Sequence, residues 1–133
     1  MSKSDPDGHD TSSFDEWVVE EFHRSRGFTA LVVLMKFDNM TVLPLRSTFM
    51  HIVGTEISWS QLSALLSSSG VHWDAVLFDT LTADDGGPVE DYAARLALRT
   101  LEKRVVEDRL VINEGHFFDQ WGRRMIIEEM QPQ

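Results

Sequence analysis

Phe14, Trp17, Val18 and Phe22 recur at the three-to-four spacing of one helix face, leaving Asp15, Glu16 and Glu20 for water. Ser13-Phe14-Asp15-Glu16 forms a capping box just ahead of them, and Gly27 supplies a stop, so a helix is expected over about 14–25. Phe28–Phe37 is then almost wholly apolar and rich in Val and Leu, the signature of a strand buried on both faces. Asp38-Asn39 predicts a tight hairpin into Met40–Leu45, and Pro44, which cannot donate to a ladder, places that strand at an edge or a bulge. Thr48–Val53 reads as a further short strand.

Ser58-Trp59-Ser60-Gln61 is a second capping box, followed by the stripe Trp59, Leu62, Leu65 and Leu66 and closed by Gly70. Trp73–Leu81 again reads as a central strand. After the turn Ala83-Asp84-Asp85-Gly86-Gly87, Pro88 suits the first turn of a long helix with Tyr92, Leu96, Leu101 and Val105 on its apolar side. Leu110–Asn113, His116–Phe118 and Met125–Ile127 read as short closing strands. The expected order is α-β-β-(β)-α-β-α-β-β: an α/β or α+β domain with a mixed sheet and about three helices. Strand–helix–strand connections over 48–81 and 73–113 are expected to be parallel crossovers. The globular domain is expected over 13–130, with residues 1–12 a disordered acidic tail.

Composition narrows the chemistry. The 133 residues contain no Cys, which removes disulfides, thiolate nucleophiles and sulfur-ligated metals. Twelve basic against 22 acidic residues give −10, unsuited to a phosphate backbone, so no nucleic-acid partner is expected. The charge is uneven: residues 37–91 hold eight acids against Arg46 alone, while α-helical residues beyond 92 are nearly balanced. No apolar run approaches the ~18 residues of a membrane helix. Residues 1–13 lack the apolar stretch of a secretion signal, so a cytoplasmic protein without membrane contact is expected.

Two loops collect the remaining chemistry: Gly54–Ser58, and Asp79 through Gly87. Beyond the carboxyl ends of parallel strands they would meet, and their carboxylates could hold a hard cation such as Mg²⁺. In that reading Asp79, Asp84 or Asp85 binds the ion and Glu56 or His72 moves a proton. Acids and hydroxyls before helices are equally what capping and the helix dipole favour. No Walker loop, Gly-x-Gly-x-x-Gly, His-Glu-x-x-His or Gly-x-Ser-x-Gly occurs. Trp17 and Trp59 read as core. Trp121, in a turn, is expected to bury against the neighbouring hairpin; exposed, it would mark an interface.

The reading that follows is a non-catalytic protein-interaction or regulatory module, of the small acidic inhibitor, immunity, chaperone or adaptor type. It needs no cofactor, and it would bind a basic protein partner through an acidic face, with homo-oligomerisation as a further expectation. The candidate contacts are Glu56, Asp79, Asp84, Asp85, Glu90, Asp91 and Trp121. The competing reading is a small enzyme or ligand-binding domain using the two-loop cation site.

Overall fold

A computed structural model describes residues 12–128. The expected N-terminal tail, save Ser12, lies outside the described residues; Ser12 itself accepts from the Arg124 Nε–H at 3.0 Å. The order is α1 (Phe14–Ser25), β1 (Phe28–Asp38), β2 (Thr41–Ile52), α2 (Trp59–Ser67), β3 (Ala75–Leu81), α3 (Asp91–Glu107), a 3-10 helix (Arg109–Glu114), β4 (His116–Asp119) and β5 (Arg124–Met125). These form one α+β domain with a five-stranded sheet in the order β2-β1-β3-β4-β5.

Both capping boxes are present. The Ser13 and Ser58 side chains accept from the Glu16 and Gln61 amides, and those side chains reach back to the cap amides. Each box satisfies N–H groups that no helical carbonyl can reach. Arg26 ends α1 in the left-handed region at φ 62°, immediately before Gly27.

β1 explains its own composition. Its first eight residues are buried because α1 and α2 cover one face of the sheet and α3 with the 3-10 helix covers the other. Phe28, Ala30, Val32 and Leu34 pack with Phe14, Trp17, Val18 and Leu62, whereas Leu31, Val33 and Met35 pack with Leu101, Val105 and Ile112. Period-two alternation separates the two sets.

Several expectations need correction. The sheet is not mixed: every pair of neighbours is antiparallel. β1 lies between β2 and β3, so the 48–81 connection joins strands that run the same way without touching. The 73–113 connection is no parallel crossover, because Leu110–Asn113 forms the 3-10 helix and the chain returns as β4, antiparallel to β3. Asp108 initiates that helix by accepting the Leu110 N–H, and Val111 and Ile112 bury against the sheet. The expected strand Thr48–Val53 is not separate: through Ile52 it continues β2 past a bulge, where Leu34 pairs with Arg46 and Met35 with Pro44. Pro88 precedes α3, whose N-cap is Glu90.

Candidate functional site

β2 and β3 run in the same direction, so their carboxyl ends share one edge of the sheet, and Gly27 holds that edge together. A Cβ there would lie 3.2 Å from the Ile52 carbonyl oxygen and 3.5 Å from Pro88 Cδ. The two loops nevertheless diverge. After Ile52 the chain leads to α2, whose first residue, Trp59, donates its amide to Asp15 Oδ1 at 2.7 Å and its indole N–H to the Gln120 carbonyl at 2.8 Å. Glu56, exposed in that connection, accepts from the neighbouring Thr55 amide at 3.1 Å.

The 80–87 turn packs instead on the end of α1. The Gly87 amide donates to the Ser25 carbonyl at 3.0 Å, and Gly86 and Gly87 take φ of 92° and 84°, which only glycine adopts without strain. Between turn and helix lies a polar cavity of about 370 Å³ lined by Glu21, Arg24, Arg26, Thr80, Thr82, Asp84 and Asp85, among others. Glu21 is 4% exposed and paired with Arg24, whose side chain reaches into solvent. Asp84 and Asp85 are exposed at the rim, and among the described residues neither enters an ion pair.

Asp79 does not join them. Strand alternation turns Thr80 toward α1 and Asp79 toward α3, where it lines a separate pocket of about 180 Å³ with Arg104 and Glu114. Burial pushes its carboxyl above the usual aspartate value; the Thr80 amide and Arg104 pull it partly back. Arg104 and Glu114 are paired at 2.6 Å. Glu90 caps α3 by position only, without a side-chain bond.

Asp91 is engaged in a contact that sequence reasoning missed. Its Oδ1 accepts from His51 Nε2 at 2.7 Å, and His51 Nδ1 lies 2.9 Å from the Thr29 hydroxyl. Thr29 is fully buried, and its oxygen also accepts the Val89 N–H at 3.0 Å. The arrangement that satisfies every group has Thr29 donating to Nδ1 and Nε2–H donating to Asp91. A hydroxyl, an imidazole and a carboxylate in a row resemble a hydrolytic triad in composition. A buried hydroxyl already holding a backbone amide meets no substrate, however, so the relay ties β1, β2 and the start of α3 together. The signal in the sequence was Thr29 itself, a lone hydroxyl in an apolar strand.

Trp121 is 68% exposed, against the expectation of burial, and the Arg123 guanidinium sits 5.0 Å from its ring centroid. Asp119 fixes this turn by accepting from the Trp121 and Arg123 amides. It is Gly122, not Trp121, that packs inward, beneath Trp59. Because Asp119 pairs with Ala75, the turn lies at the opposite end of β3 from Asp84 and Asp85.

The seven candidate residues therefore occupy several places. Asp84, Asp85 and Glu90 stay near one turn, while Glu56, Asp79, Asp91 and Trp121 are separated from that group or used internally. Among the described residues no three His, Asp or Glu side chains converge as metal ligands, and no helix is long and apolar enough to cross a membrane. No family model, curated protein or solved structure matches the chain.

Proposed function

We propose that the protein is a non-catalytic interaction module that binds a basic protein partner through the turn between β3 and α3. The observation that carries this reading is the pair Asp84 and Asp85, exposed and, among the described residues, outside any ion pair, at the rim of a polar cavity whose wall includes the Glu21–Arg24 pair. Carboxylates without internal partners retain their field for an incoming cation, which raises encounter rates more than it deepens affinity. With Glu21 paired to Arg24, the charge met by an incoming lysine or arginine is that of Asp84 and Asp85 against Arg26, and the cavity gives its side chain a place to lodge, with Thr80 and Thr82 hydroxyls as further acceptors. Asp79 and Asp91 leave the proposed contact set because the fold uses them elsewhere.

The test begins with affinity capture from the cells that make the protein. Association rates of the captured partner are then measured against the wild-type chain and Asp84→Asn/Asp85→Asn. The expected result is association slower by about tenfold at low salt, with the difference shrinking as salt is added. Equal rates for the two proteins at low salt would overturn the assignment of this surface.

A further inference from the structure

The open edge of the sheet offers a second surface, independent of the acidic turn. β2 is 12 residues long and, among the described residues, has β1 on one side and no strand on the other. The direction of its peptide groups follows from β1. The Met35 carbonyl accepts from the Asp74 amide and the Phe37 amide donates to Asp74 Oδ2, so both point toward β3. Peptide groups alternate along an antiparallel strand, so the even-numbered residues of β1 face β2. Their partners Arg46, Thr48, Met50 and Ile52 are thereby turned inward. The peptide groups of Ser47, Phe49 and His51 consequently point outward. Pro44, opposite Met35, also has its ring nitrogen on the outer side, where it marks the end of the open ladder.

Three features coincide at this segment. An apolar groove of about 360 Å³ runs beside it on the α2 face, lined by Val32, Leu34, Met50, Leu65 and Leu66 with Arg46 at its margin. On the other face the Arg95 guanidinium lies 5.9 Å from the Phe49 ring centroid, and Arg99 is exposed one turn further along α3. The acids of α3 on this side, Asp91 and Glu102, are already engaged, by His51 Nε2 and the Ser47 hydroxyl. Finally, Met40–Val53 contains no acidic residue, in a chain of net charge −10. Exposed edges are usually guarded against strand addition; beyond Pro44 this one carries only Arg46.

We propose that the β2 edge from Ser47 to His51 takes up, as an added strand, an extended segment of another protein in which apolar and acidic residues alternate. Main-chain bonds to the three outward peptide groups hold the segment. Its apolar side chains enter the groove beside α2, and its carboxylates face Arg95 and Arg99. This division follows from the two-residue repeat of a strand. A second copy of β2 fits less well, because it brings arginines to arginines and supplies no carboxylate.

The probe is a fluorescent peptide of about nine residues, the length of an ordinary strand, alternating Val and Glu. Controls are an alternating Val–Lys peptide and a Val–Glu peptide interrupted by a central proline. Fluorescence anisotropy with the full chain should show the Val–Glu peptide binding at least about tenfold more tightly than either control. Amide shifts should fall on Ser47, Phe49 and His51. The surface variant Arg95→Glu/Arg99→Glu, checked for an unchanged melting curve, should reverse the preference toward Val–Lys. Equal binding of the peptides, no binding of Val–Glu at millimolar concentration, or shifts confined to the 80–87 turn would each overturn the proposal. Sedimentation showing a dimer whose β2 amides are protected from exchange would also overturn it, naming a second copy as occupant. The expected result requires neither Asp84 nor Asp85, so this surface and the acidic turn stand or fall separately.

Discussion

Gly122 lies directly beneath the Trp59 ring: a Cβ at this position would sit 2.8 Å from Trp59 Cγ. Its φ of 76° is a conformation that L side chains rarely adopt. The Trp59 indole N–H is held by the Gln120 carbonyl, so the ring cannot easily swing away. Gly122→Ala is therefore expected to destabilise the fold by about 1–3 kcal/mol through overpacking and strain together. Urea denaturation measures the loss. A midpoint unchanged from wild type would show that the turn and α2 part without cost.

Phe14 is the hub of the aromatic cluster on the α1 face. Its ring lies within 5.1–5.7 Å, centroid to centroid, of Trp17, Trp59, Phe78 and Phe118. It is fully buried and joins α1, α2, β3 and β4. Phe14→Ala should cost about 3–5 kcal/mol, and Phe14→Leu, which refills most of the space, clearly less. Tryptophan fluorescence during unfolding follows both variants, since Trp17 and Trp59 pack against the vacated site.

Thr29 is fully buried among apolar neighbours, yet its hydroxyl serves two partners, Val89 and His51. Thr29→Val keeps the shape and removes the acceptor, leaving the Val89 N–H unsatisfied at an expected cost of about 1–3 kcal/mol. Thr29→Ser retains the oxygen and should lose less. Amide exchange at Val89 separates a broken bond from a packing defect: it should accelerate in the valine variant and not in the serine one.

Asp79 has a definite sign of pH dependence. Its folded-state pKa is raised by burial, so the native protein holds the proton more tightly than the unfolded chain does. Stability contributed by this group therefore falls as pH rises from the unfolded value of about 4, and the penalty is complete once pH exceeds the folded value. Asp79→Asn keeps an oxygen for the Thr80 amide and removes the charge. The variant should be more stable than wild type near neutral pH, and the gap should close on acidification. Thermal melts across that range provide the check; a neutral-pH variant less stable than wild type would contradict the desolvation argument.

Local chemistry was readable wherever neighbours in sequence decide the outcome. Ser13 with Glu16 and Ser58 with Gln61 identified the starts of α1 and α2, because a capping box closes within four residues. The unbroken apolar run of β1 announced burial on both faces, and Pro44 announced an edge or a bulge, of which the fold has both. Asp84 and Asp85 were legible as an exposed acidic turn because Gly86 and Gly87 follow them.

Tertiary structure alone decided what those elements would do to one another. The insertion of β1 between β2 and β3 kept those two parallel-running strands apart, so the expected parallel pairing never forms, a long-range choice that local periodicity cannot encode. Alternation along β3 then placed Asp79 and Thr80 on opposite faces, dividing a site that looked continuous in sequence. Trp121, expected to be buried, stays exposed while Gly122 packs inward, because Trp59, from a distant helix, occupies the space that only glycine leaves. The amino-acid sequence by itself determined where α1 and α2 start and that β1 is buried on both faces, since those choices rest on short-range hydrogen bonding and residue polarity. Which carboxylates are drawn into internal contacts was decided only when long-range packing assigned Asp91 to His51 and Asp79 to the α3 face, and left Asp84 and Asp85 exposed.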